Sequence, residues 1–240
     1  MRIPLHPCYI LHQRSYRETS LLLDVFSRDH GRVGLIAKGA KRKRAVPQGI
    51  LQPYRRLLIS WTGKGELFTL TGIESESSSL MPLSGQVMAG FYLNELILRL
   101  LHRHEAHAEL FDAYEESLVR LGKGFSEQPV LRIFEKRLLQ SLGYGLVLDH
   151  DVQSGQPIDG NQEYYYQFDL GPLSLKPITP DHLKLSGRTL QALRDEYLED
   201  TDSLREARHL MRSILHRHLG EKPLASRELY QAYLKNRIRP

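Results

Sequence analysis

Apolar positions in the first third of the chain come in short runs. These are Tyr9-Ile10-Leu11, Leu21-Leu22-Leu23 through Phe26, Val33 through Ala37, Leu57-Leu58-Ile59 with Trp61, and Leu67 through Ile73. Turn formers separate them: Asp29-His30-Gly31, Gly39, Pro47-Gln48-Gly49 and Gly63-Lys64-Gly65. Short apolar runs between such turns predict five strands over residues 7–73, and a barrel that closes on itself leaves no open sheet edge. The five-stranded OB-fold is the barrel of this size with a nucleic-acid habit, although strand count alone does not separate it from an SH3-like barrel.

The period changes after Ser79. Leu93, Leu96, Ile97, Leu100 and Leu101 fall on one face of a helix. A second helix is expected from about Glu105 to Leu121. A third carries Leu131, Phe134, Leu138, Leu139 and Leu142 on one stripe, with Gly143 as its stop. These three read as one bundle. Residues 149–177 break the pattern with Gly155, Pro157, Gly160, Gly171, Pro172 and Pro177 around two β-like pieces, Tyr164–Leu170 and Leu173–Leu175, a hairpin or loop excursion. Helices resume at about 187–197, 202–219 (Thr201 or Asp202 as N-cap) and 226–237. The expected class is α+β and multi-domain: a barrel domain over 1–80, then a helical domain over 81–240 with a non-helical insertion at about 149–177. Ser75-Glu76-Ser77-Ser78-Ser79 with Pro82 marks the junction.

Charge divides the chain the same way. The net charge is +5 over 240 residues, with 41% hydrophobic and 25% charged residues, an ordinary globular composition. Residues 1–80 carry 13 Lys/Arg against 6 Asp/Glu, residues 81–200 carry 11 against 18, and residues 201–240 carry 9 against 4. A basic first unit is a candidate for a polyanion. No run of 18 apolar residues predicts a membrane span, and no apolar leader follows Met1, so a cytoplasmic place is the expectation. The single cysteine, Cys8, rules out an internal disulfide and a four-cysteine zinc site, and its apolar setting predicts a packed thiol.

Enzyme signatures fail on inspection, and no catalytic residue is assigned. There is no Gly-x-x-x-x-Gly-Lys-Ser/Thr loop, Gly63-Lys64-Gly65 does not continue into a dinucleotide fingerprint, and no Gly-x-Ser-x-Gly elbow is present. His102, His104 and His107 surround Glu105, but a zincin helix needs histidines at i and i+4, and position 108 is Ala. His104 and His107 at i, i+3 could chelate, but no third ligand is identifiable, and the three histidines read as a solvated helix end or a helix connection. His216 and His218 point to different faces of one helix.

The basic run Lys38-Gly39-Ala40-Lys41-Arg42-Lys43-Arg44 is the strongest local signal. Cations in a strand connection can track phosphates without reading sequence. A merely solvated loop is the plain alternative. Arg14, Arg17, Arg28, Arg32, Arg55 and Arg56 lie in the same basic unit and favour nucleic acid. Tyr9, Tyr16, Tyr54, Trp61 and Phe68 could include a base-stacking platform, with more of them core than stacking. Tyr164-Tyr165-Tyr166 reads as a strand with one buried face.

Several blocks together resemble the bacterial RecO family of recombination mediators. They are Glu18-Thr-Ser-Leu, Phe26-Ser, Gly31-Arg-Val, Ala37-Lys-Gly-Ala-Lys and Leu51-Gln-Pro in the first unit, and Leu83-Ser-Gly, Tyr92-Leu-Asn-Glu-Leu, Glu109-Leu-Phe, Leu131-Arg-x-Phe-Glu, Leu138-Leu139 and Leu142-Gly-Tyr in the second. Gly220-x-Lys-Pro-Leu-x-Ser-Arg follows near the end. Their order and spacing make the match specific. The resemblance implies an OB-fold followed by a helical domain, and a non-enzymatic role in recombinational repair. That role is to bind single- and double-stranded DNA, anneal complementary strands and, with RecR, help RecA onto strands coated with single-stranded-DNA-binding protein (SSB). On this reading DNA meets Arg14, Arg32, Lys38, Lys41, Arg42, Lys43 and Arg44, in a cytoplasmic, nucleoid-associated protein. Composition alone also allows a general OB-fold RNA or DNA chaperone with a helical interaction domain.

Many relatives of this kind carry a four-cysteine zinc site in the region matching 149–177. Here His150 and Asp151 stand there without cysteine, so no cofactor is expected and packing alone should hold the excursion. The resemblance also implies a contact with the acidic C-terminal tail of SSB, which ends in a Phe and its free carboxylate. Arg132, with Phe134, offers a guanidinium beside an apolar stripe. The alternative for Arg132 is an ion pair with Glu135, three residues on.

Overall fold

The protein is described from a computed structural model, over residues 2–42, 49–76 and 86–237. Contacts divide the chain into two compact units: Met1–Phe125 with Pro223–Pro240, and Ser126–Lys222. This division falls elsewhere than residue 80, where composition changes, because the first two helices and the last one pack with the barrel's unit.

In the first unit, strands β1 (Arg2–Tyr16), β2 (Ser20–Ser27), β3 (Gly31–Ala37), β4 (Leu57–Thr62) and β5 (Leu67–Ser75) close a barrel in the order β1-β2-β3-β5-β4. All neighbours are antiparallel except β3 and β5, which run parallel over Gly34–Ile36 and Leu67–Thr69. This is the expected OB-fold barrel. Strand β1 reaches both β2 and β4 through register shifts at Ile10/His12 and Ile3/His6, bulges that let one long strand bend around the barrel. Ile10, Leu23, Val25, Leu35, Leu57, Ile59 and Trp61 fill the interior.

The contiguous burial of Cys8-Tyr9-Ile10-Leu11 shows that β1 is covered on both faces. Cys8 and Ile10 point into the barrel, while Tyr9 and Phe26 face outward against helix α2 (Ala108–Gly122). There Tyr9, Phe26, Phe111 and Tyr114 form a second aromatic cluster, with ring centroids 5.1–6.1 Å apart. Polar groups tie the layers together. Tyr9 donates to Glu115 at 3.0 Å, Arg56 spans Glu115 and Glu76, and Arg28 forms a two-pronged pair with Asp112. Helix α1 (Val87–Leu100) contributes Asn94, whose amide donates to the Leu11 carbonyl and accepts from Tyr114. Helix α6 (Ala225–Arg237) is anchored to α1 by Glu95, which accepts from the backbone of Ala225 and Ser226 and from the Ser226 hydroxyl.

In the second unit, helix α3 (Glu127–Ser141) packs with α4 (Gly187–Arg194) and α5 (Thr201–Leu219). The first three helices, expected as one bundle, are thus divided between the units, α1 and α2 in the first and α3 in the second. Asp200, one residue before the expected positions, caps α5 through Ser203, and Ser186 caps α4 through Thr189. The excursion is a three-stranded sheet in the order β7-β6-β8, built from β6 (Glu163–Gln167), β7 (Gly171–Leu173) and β8 (His182–Ser186). Strand β8 lies beyond the expected two pieces. Tyr164 and Tyr166 are buried and Tyr165 faces His182, so the Tyr triplet has the one buried face that alternation predicts.

Candidate nucleic-acid interface

The β1–β2 hairpin turns at Arg17-Glu18-Thr19, with Arg17 in the left-handed region at φ +52°. After β3, Gly39 at φ +70° folds the chain so that the Arg42 amide donates to the Gly39 carbonyl at 2.8 Å. The Lys41 amide donates to the Thr19 carbonyl at 3.0 Å and ties the two turns together. The backbone therefore gathers Arg14, Arg17, Lys38, Lys41 and Arg42 at one end of the barrel, all exposed. Among the described residues none of these five forms an ion pair. Glu18 is the one carboxylate within the two turns. Exposed cations without internal partners can neutralise phosphates at no cost in broken ion pairs.

Four of the seven expected DNA contacts, Arg14, Lys38, Lys41 and Arg42, meet here. Lys43 and Arg44 lie outside the described residues. Arg32 does not join them. It is half-buried on β3, and its guanidinium donates to the Leu98 carbonyl at the end of α1. Burial and the neighbouring Arg103 lower its pKa, with Asp24 acting against them. Arg28 and Arg56 are likewise engaged by carboxylates. Arg17 belongs to the cluster although the sequence reading gave it only to the basic unit at large. Its place is fixed by the hairpin turn at Arg17-Glu18-Thr19, which is not among the turn formers read from the sequence and which charge counting does not reveal.

Arg132 and Phe134 correct the expectation of an open guanidinium beside an apolar slot. Helix α3 is buried continuously from Val130 to Glu135, not along one stripe. Arg132 is 6% exposed and donates to Glu135 at 2.6 Å, the i, i+3 pairing, while Phe134 is fully buried. The Nε of Arg132 has no hydrogen-bond partner.

Residues 149–174 are held by more than packing. The buried Asp151 carboxylate accepts from the amides of Gln153, Ser154 and Ser174 at 2.6–2.9 Å. Burial alone would raise its pKa, but these hydrogen bonds outweigh it and hold the carboxyl down at about 2. His150 meets Asp149 at 2.8 Å. Both oxygens of Asp151 are thus committed to the backbone, and the residues present do not fit the zinc site implied by the family resemblance. Among the described residues no group of three or more His, Cys, Asp or Glu could hold a metal ion. His104 sits edge-on to Phe68 at 5.6 Å, and His107 lies 3.9 Å from Glu105, so the histidine cluster belongs to the α1–α2 connection. Among the described residues no helix is long and apolar enough to cross a membrane.

Comparison with known proteins matches two family models, Recombination protein O N terminal over residues 1–78 and Recombination protein O C terminal over residues 86–228. The DNA repair protein RecO of Nitrosococcus oceani is 47% identical over 232 residues, covering 96% of this chain and 94% of that protein. Its counterpart in Nitrosospira multiformis is 45% identical over 95% of this chain and 94% of that protein. The counterpart in Azoarcus sp. is 39% identical over 98% of each. The barrel, the helical second unit and these full-length matches agree: the chain belongs to the RecO family of DNA repair proteins.

Proposed function

We propose that this protein is a DNA-binding recombination mediator whose cationic barrel end holds single- and double-stranded DNA. It anneals complementary strands and, with RecR, helps RecA onto SSB-coated single strands, in the cytoplasm at the nucleoid. The observation that carries this reading is the gathering of Arg14, Arg17, Lys38, Lys41 and Arg42, free of ion pairs, at one end of an OB-fold barrel in a RecO-family chain. Two strands that must pair repel through their phosphates. A surface that neutralises phosphates without reading bases lowers that repulsion for any sequence.

The test is annealing of complementary oligonucleotides coated with cognate SSB, compared with SSB lacking its C-terminal tail. A mediator anneals strands coated with intact SSB and loses that activity when the tail is missing. A general OB-fold chaperone is indifferent to the tail, and that outcome would refute the mediator reading. For the tail itself, Arg132 remains a candidate anchor only through exchange: the tail carboxylate would take the place of Glu135 at the guanidinium.

A further inference from the structure

We propose that Tyr16 is the base-stacking contact of the cationic barrel end and gives that end its preference for single-stranded DNA. The proposal rests on the nucleic-acid reading above and adds to it the one group there that can tell a single strand from a duplex.

Six Phe, Tyr and Trp residues lie between 2 and 76. Five of them, Tyr9, Phe26, Tyr54, Trp61 and Phe68, are at most 7% exposed and belong to the interior. Tyr16 is the exception. It is half-buried at the last position of β1, paired across the hairpin with Ser20. The Arg17 guanidinium carbon lies 5.2 Å from its ring centroid, within cation–π reach. The hydrogen bond from Lys41 to Thr19 brings the Lys38–Arg42 turn to the same hairpin tip. Among the Phe, Tyr and Trp rings of the described barrel residues, Tyr16 is thus the accessible one, beside cations that form no ion pair.

Cations alone cannot make the distinction. Phosphates line the outside of single strands and duplexes alike, so Arg14, Arg17, Lys38, Lys41 and Arg42 attract both. A duplex keeps its bases stacked on each other, whereas an unpaired base offers a π-face to any aromatic ring beside the backbone track. A tyrosine beside phosphate-binding cations adds affinity for single strands only. It adds no charge, so it leaves the dependence on salt untouched.

The experiment uses the full-length protein and compares wild type, Tyr16→Ala and Tyr16→Phe. Anisotropy is measured with a labelled oligothymidylate and with a duplex of equal length over a range of salt. Thermal unfolding of each variant is recorded alongside. Tyr16→Ala should weaken single-strand binding about 5- to 150-fold. Duplex affinity and the single-strand salt slope should stay at wild-type values, and Tyr16→Phe should bind as wild type. An oligonucleotide carrying 2-aminopurine should be quenched by wild type and by Tyr16→Phe but not by Tyr16→Ala. The proposal is overturned if Tyr16→Ala binds single strands as wild type does. It is equally overturned if single strand and duplex are lost together, which marks a packing role and should accompany a lowered unfolding temperature. Wild-type protein that binds neither DNA would instead refute the nucleic-acid reading on which the proposal stands.

Discussion

Gly31 of β3 lies so close to the α1–α2 connection that a Cβ there would stand 1.8 Å from the carbonyl oxygen of Glu105. The same strand repeats the device at Gly34, where a Cβ would stand 2.2 Å from Nη1 of Arg103. Between these two contacts the His104 amide donates to the Arg32 carbonyl at 3.1 Å, and Arg103 pairs with Asp24 at 2.8 Å. The connection is therefore docked on the barrel by missing side chains as much as by bonds.

The two glycines should respond differently to alanine. Gly31 has φ +63° and faces backbone, which cannot swing aside, so Gly31→Ala should cost roughly 2–4 kcal/mol. Gly34 faces the far end of a flexible arginine, and Gly34→Ala should cost only about 1–2 kcal/mol, mainly by disturbing the Arg103–Asp24 pair. Urea unfolding of both variants, followed by circular dichroism, checks the order. Equal costs would contradict it.

Cations at the barrel end and the cation on β3 should separate by phenotype. Replacing Lys38, Lys41 and Arg42 together by Ala should weaken DNA binding for every sequence. It should also reduce the single-strand salt slope by up to about 2, at about 0.7 per lost phosphate contact. Arg32→Ala should leave that slope alone and instead cost about 1–3 kcal/mol, because the Leu98 carbonyl loses its charged donor. Salt titrations beside thermal melts distinguish the two. A slope that does not move in the triple variant would return the turn to the status of a solvated loop.

Asp151 predicts a pH signature for the second unit. Its folded pKa lies below the ordinary 3.8, so the stability it confers is complete above that value. It is lost as pH falls toward about 2, where the folded group takes up its proton. Asp151→Asn turns an amide NH2 or a weaker acceptor toward backbone donors and should cost about 1–3 kcal/mol at neutral pH. The gap between variant and wild type should close on acidification into that window. Stability curves for the two proteins from pH 7 downward test this, and parallel curves would show that the carboxylate is not what holds the loop.

Arg132→Ala should act first on stability. It strips a charged donor from a fully buried carboxylate, a change worth about 3–5 kcal/mol in buried pairs, and DNA binding by the barrel end should persist. Replacing Arg132 by Met and Glu135 by Leu together should recover much of the loss, since the pair is then replaced by apolar packing. A fully stable Arg132→Ala protein would mean that the guanidinium is more open than the pairing with Glu135 implies.

All five barrel strands were legible in the sequence because each is an apolar run bounded by turn formers. The division of labour among the arginines was not. Arg28, Arg32 and Arg56 differ from Arg14 and Arg17 only in which carboxylate or carbonyl the fold brings near them, and Asp112, Leu98 and Glu115 are all distant in sequence. The period of α3 predicted one stripe, and Arg132 was placed beside it. Continuous burial from Val130 to Glu135 reflects tertiary surroundings that periodicity does not carry. The run Tyr9-Ile10-Leu11 did carry such a sign, since three apolar neighbours on one strand mean two covered faces. The third strand of the small sheet, His182–Ser186, escaped because Leu183 and Leu185 alone are a weak alternation.

The anchoring of α6 to α1 through Glu95 has a consequence for the order of synthesis. The barrel's unit includes Pro223–Pro240, and the intervening Ser126–Lys222 is an unbroken unit of its own. A ribosome therefore releases every element of the second unit before it releases the last helix of the first. The second unit can fold on the emerging chain, whereas the first must wait with the acceptor face of Glu95 unfilled until Ala225 and Ser226 appear. Trimming the chain back to Lys222 would leave the second unit whole and the first unit, although its barrel lies at the opposite end of the sequence, without its final helix.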